Sequence, residues 1–86
     1  MYTFIAINRR VDKDYKYYLK VRQDVRDKLK RIAEDPRNAC GAHKLHGHLD
    51  GKWSCWLGSN IRMIYEIDDE RKAIFIAKIG QHTIYG

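Results

Sequence analysis

Four histidines sit in two places in this chain: His43, His46 and His48 fall within six residues of one another, and His82 lies close to the C-terminal end. Imidazole titrates near neutral pH, so two rings on either side of a phosphate can act as base and acid. Arg62 lies in the apolar run IRMIYEI. A planar guanidinium there can hold two phosphate oxygens and stabilise the charge that grows on them in a transition state. Lys44, Lys52 and Lys78 are further cations, and Tyr85 can stack on a base or donate a proton. These are the groups needed to break an RNA phosphodiester without a metal. The plainer reading of Arg62 is a cross-strand pair with Glu66 or another acid, worth at most ~1 kcal/mol when exposed. The plainer reading of His46 and His48 is a solvated loop. That of each lysine is a solvated surface residue.

Zinc is the competing chemistry for the histidine cluster, because Cys40, His43, His46 and His48 are all possible ligands. Their spacing matches no usual zinc-finger pattern, so no metal site is expected. Glycine-rich phosphate loops, Ser-His-Asp patterns and paired carboxylates are not visible either. Trp53 and Trp56 fall on opposite faces of one strand. Trp53 shares its side with Cys55 and Leu57 and is expected in the core, leaving Trp56 to stack on a base.

The 86 residues suffice for a single domain, residues 1–86, with little core to spare. Net charge is +6, with a pI near 9.5, which favours a polyanionic partner such as nucleic acid or an acidic protein. Twelve of the 17 Lys and Arg precede residue 51, so the positive field should be strongest around the helices and the histidine loop. Two cysteines that form no CxxC pair suggest free thiols in a reducing compartment. No run approaches the roughly 20 apolar residues of a membrane span, and MYTFIAINRR lacks the order of a signal peptide. A cytoplasmic location is the default expectation.

Several elements must position these groups. Residues 2–8 read as a buried strand. Residues 12–20 carry Tyr15, Tyr18 and Leu19 at helical spacing, with Asp12 as a plausible N-cap. Val21, Val25, Leu29, Ile32 and Ala33 form one face of a second helix, which Pro36 stops. The two segments are either one bent helix or a helical hairpin. A polar loop over 36–51 precedes strands at 52–57, 61–67 and 73–79. In the middle strand Ile61, Met63, Tyr65 and Ile67 share a face opposite Arg62, Ile64 and Glu66. The expected fold is α+β in the order β-α-α-β-β-β, a small, mainly antiparallel sheet with two N-terminal helices packed on one face.

The segments IAEDPRN, KLHGHLDGKWS, NIRMIYEID and IFIAKIGQHTIYG, in this order and spacing, resemble the RelE/ParE superfamily, the toxins of bacterial type II toxin–antitoxin pairs. The resemblance covers nearly the whole chain. It implies a ribosome-dependent endoribonuclease that cuts mRNA in the A site by metal-independent attack of the 2′-hydroxyl, with no cofactor. Arg62 stands where YoeB-like members place the arginine that contacts the scissile phosphate. His82 matches their C-terminal catalytic histidine, and His43 stands where they carry a glutamate base. Tyr85 takes the place of the terminal aromatic. Lys44, His46, His48, Lys52 and Lys78 are the candidate RNA contacts. The implied partners are a cognate antitoxin, mRNA and the ribosome, with a monomer when free and a hetero-oligomer with the antitoxin. The alternative within the same superfamily is a ParE-like, non-enzymatic inhibitor of DNA gyrase.

Overall fold

The computed structural model describes residues 1–81. Strand β1 (Thr3–Ala6) leads into helix α1 (Arg9–Val21). The N-cap of α1 is Asn8, whose side-chain oxygen accepts from the Val11 N–H at 2.9 Å. Asp12 therefore does not cap; it lies in the first turn and pairs with Lys16 at 2.9 Å. An earlier start was hidden because Asn8 stands next to Arg9 and Arg10, where no apolar period announces a helix.

The two helical segments are separate. Arg22 adopts an extended conformation (φ −128°, ψ 107°) and serves both as the C-cap of α1 and the N-cap of α2 (Gln23–Glu34). Val25, Leu29, Ile32 and Ala33 are buried as expected, but Val21 falls before the break and is exposed. A one-residue junction rotates the helical phase, so the apolar period does not run through it.

Beyond Pro36 the chain turns through Cys40 (φ 54°) and Gly41 (φ 65°), two successive left-handed residues. This reversal sets up β2 (His43–Lys44), a strand inside the segment read as a polar loop. The helices are therefore followed by four strands, not three: β2, β3 (Trp53–Trp56), β4 (Ile61–Asp68) and β5 (Ala73–Gln81). A two-residue strand is too short to show alternation, and only its pairing with β3 reveals it. The sheet order is β1-β5-β4-β3-β2, with β1 parallel to β5 and the other pairs antiparallel.

The core joins Val11, Val25, Leu29 and Ile32 of the helices to Cys55, Leu57, Ile61, Met63, Tyr65, Ile74, Ile76 and Ile79 of one sheet face. Fully burying such a side chain contributes about 1.5–3 kcal/mol. Trp53 packs against the edge of this core, as its face predicted. The Tyr65 hydroxyl donates to the Pro36 carbonyl at 2.6 Å, tying the end of α2 to the middle of the sheet. No helix of the described residues is long and apolar enough to cross a membrane.

Candidate active site

Register places the chemistry on the sheet face opposite the helices. Trp56 pairs with Arg62, and Arg62 with Gly80. The adjacent row runs His43, Ser54, Ile64, Lys78 across four strands. Directly paired residues point to the same side of a sheet, so His43, Arg62 and Lys78 share this outer face. With strands roughly 4.8 Å apart and residues about 3.4 Å apart along each, the His43 and Arg62 backbones stand on the order of 12 Å from each other. Two long side chains can reach a phosphate lying between them across that gap.

A β-bulge is what brings Lys78 to this face. Tyr65 pairs with Ile76 but Ile64 pairs with Lys78, so Ala77 is an extra residue on β5. Strict alternation after Ile74 and Ile76 would turn position 78 toward the core. The extra residue shifts the phase, burying Ile79 and exposing Lys78.

Arg62 is half-buried and makes no hydrogen bond or ion pair with any described residue. The acid named as its rival partner, Glu66, lies four residues further along the same strand, too far to pair with it, and is engaged by Lys52 at 2.7 Å. Opposite it, Gly80 offers no side chain, so nothing on β5 competes for the guanidinium. Ser54 and Ile64 are fully buried in the middle of the same face. His43 is exposed, with Nδ1 3.0 Å from the Gly41 carbonyl oxygen. A carbonyl can only accept, so this contact assigns the proton to Nδ1; in the neutral ring the lone pair then sits on Nε2.

The remaining candidates divide. Lys44 alternates with His43 and lies on the other face, its ammonium 5.9 Å from the Trp53 ring. Arg37 approaches the same ring at 5.9 Å. Lys52, His46 and His48 belong to the β2–β3 connection, at the Trp53 end of β3, whereas Arg62 pairs at the Trp56 end. Those ends are about 10 Å apart along the strand. His46 and His48 are exposed loop residues. His82 and Tyr85 lie outside the described residues; β5 ends at Gln81, which pairs with Ile61 beside Arg62. Among the described residues no group of three His, Cys, Asp or Glu is placed to hold a metal ion. Both thiols are free, and burial pushes each above the ordinary cysteine range, which makes them poor nucleophiles.

Trp56 is exposed and flanks Arg62, as its face predicted. Its indole N–H donates to the Ser59 carbonyl at 2.6 Å, and the Lys28 ammonium from α2 stands 4.7 Å from the ring centre. Sequence reasoning missed Lys28, because its helical position gives no hint that it reaches a strand aromatic.

These features define an α+β domain with helices behind a mixed sheet and cations on its outer face. The fold is that of the RelE/ParE toxin superfamily. A YoeB–YefM complex from Staphylococcus aureus contains a similar chain, with TM-score 0.72, 25% identity and coverage of 95% of this chain and 98% of that one. The isolated RelE toxin of E. coli is similar at TM-score 0.71 and 25% identity, over 94% of this chain and 84% of that one. A YoeB/ParE toxin from Agrobacterium tumefaciens shares the fold at TM-score 0.73 and 16% identity, over 95% and 99% of the two chains. No family model and no curated protein sequence matches this chain.

Proposed function

We propose that this chain is the toxin of a type II toxin–antitoxin pair and acts as a ribosome-dependent endoribonuclease on mRNA in the A site. The observation that carries the reading is Arg62: a guanidinium near the start of β4, unpaired among the described residues, sharing one face with His43. A half-buried arginine with no carboxylate partner among the described residues is free to bind an anion.

In this reading His43 Nε2 takes the proton of the RNA 2′-hydroxyl, and the resulting oxygen attacks the adjacent phosphorus. Arg62 stabilises the charge on the non-bridging oxygens. The bond to the 5′-oxygen breaks, and His82 protonates that leaving group. The products are a 2′,3′-cyclic phosphate and a 5′-hydroxyl. Protein cations carry the charge stabilisation, so no metal step is required. The ribosome supplies alignment of the substrate, which is worth several kcal/mol of barrier. The assignment of His82 as acid rests on the resemblance of GQHTIYG to the YoeB type. Tyr85 is assigned beside it as the terminal aromatic.

A cognate antitoxin is the expected protein partner. One solved neighbour is described as a heterotetrameric YoeB–YefM toxin–antitoxin complex. The test is to add the purified chain to ribosomes programmed with a defined mRNA and map cleavage by primer extension, with and without EDTA. Metal-independent cuts in the A-site codon, absent without ribosomes, are expected. Growth arrest with intact mRNA and inhibited gyrase would replace this reading with the ParE-like one.

A further inference from the structure

The outward face of α1 is unlike any other surface of the described chain. At about 100° per residue, Arg9, Lys13, Lys16 and Lys20 fall in one arc of the helix, with Arg10 and Tyr17 at its margin. All six are exposed. The acids Asp12 and Asp14 lie at the flanks and are half-buried, while Val11, Tyr15, Tyr18 and Leu19 turn toward the core. Lys16 is paired with Asp12, but Arg9, Arg10, Lys13 and Lys20 make no ion pair with any described residue.

A general need for solubility does not account for this face. Helix α2 packs on the same sheet and meets the same solvent, yet its exposed residues Asp27, Lys30, Arg31 and Glu34 balance in sign. An excess of one charge on one helix face is what a polyanion selects. From Arg9 to Lys20 the arc is about 16 Å long at 1.5 Å per residue. A nucleic-acid duplex presents one phosphate charge per roughly 1.7 Å of axis, so such a length faces several phosphates. Tyr17 adds an aromatic ring, 59% exposed and set edge-on against Tyr18 at 5.3 Å between centroids. A restrained aromatic within a cationic field suits stacking on a base or ribose.

We infer that α1 is a second RNA-binding surface, which docks structured RNA through its phosphates, on the side of the molecule opposite Arg62. The domain then stands between two RNA segments, one on the sheet and one on the helix. The choice of RNA over DNA rests on the cleavage reading above; the phosphate contact itself does not.

The test measures binding of a fluorescent RNA hairpin over a range of KCl concentrations. The triple variant Arg10→Glu/Lys13→Glu/Lys20→Glu is compared with the unaltered chain, and a matching glutamine triple guards against misfolding. The glutamate triple should bind at least about tenfold more weakly, with the slope of log affinity against log salt reduced by about two to three units. The glutamine triple should fall between, and both should melt within a few degrees of the parent. Unchanged affinity and slope in the triples would sink the inference. So would loss of all hairpin binding in Arg62→Ala alone, which would assign it to the sheet face. Equal competition by poly-glutamate would reassign the face to an acidic protein, and equal binding of a DNA hairpin would remove the preference for RNA. Hairpin binding that depends on α1, from protein that cuts no mRNA, would leave this inference standing and overturn only the cleavage reading.

Discussion

A base is useful only when its lone pair faces the proton to be taken. At His43 the Gly41 carbonyl holds Nδ1–H and leaves Nε2 for the substrate. His43→Ala should slow A-site cleavage by about 10²- to 10⁴-fold, the usual scale for a general base. Retained cleavage in a folded His43→Ala protein would send the role to another group. Arg62→Lys keeps the charge but replaces a two-pronged donor with a point charge, so it too should cut poorly. Gly58 matters for a different reason. Its φ is +111°, and a Cβ there would collide with the Asp24 carboxylate. Asp24 is itself held by Arg22, whose guanidinium also donates to Ser59 in the same turn. Gly58→Ala should destabilise the domain by about 1–3 kcal/mol, read as a lower denaturant midpoint.

At the scale of elements, β5 carries the most consequential irregularity. Deleting Ala77 removes the bulge but leaves the pairing intact, because Ile64 still meets Lys78, Met63 still meets Ile79 and Arg62 still meets Gly80 in an unbroken ladder. The deletion should therefore keep Lys78 outside and Ile79 in the core, with little change in melting temperature. A large fall in melting temperature would mean that the extra twist of the bulge is itself needed by the sheet. The link from α2 to the sheet is a different case. Tyr65→Phe removes the hydroxyl that donates to Pro36 and leaves a buried carbonyl without that donor. A loss of about 1–3 kcal/mol is expected in chemical denaturation, with the fold retained.

Across the whole molecule, Asp69 ties two distant pieces to the β4–β5 turn. It accepts two hydrogen bonds from Arg37, beyond α2, at 3.0 and 2.8 Å, and another from the Tyr2 hydroxyl at the start of β1. The Arg37 bonds first, then that of Tyr2, hold its carboxyl down to about 2. An unfolded aspartate titrates near 3.9. The folded value is the lower one, so the stabilisation is fully present above about pH 4 and is lost as pH falls through 2. Asp24, depressed by Arg22, acts in the same direction. Melting temperature should fall between pH 5 and pH 2, and Asp69→Asn should flatten that limb. An identical acid limb in Asp69→Asn would show that other carboxylates carry it.

The residue order alone determined the α+β class, the core faces of β3 and β4, and the split between a packed Trp53 and an exposed Trp56, because burial imposes a period that one segment can reveal. The IRMIYEI run also marked Arg62 as out of place among apolar neighbours. Tertiary structure decided which groups meet. Lys44 was expected at the RNA beside His43 but faces the other way, because β2 exists only through its pairing with β3. Lys52 looked like a free cation but takes Glu66. His46 and His48 looked close to the site but lie at the far end of β3. Such facts follow from strand register and from one extra residue at Ala77. Both depend on contacts between segments far apart in the chain, which no local pattern encodes.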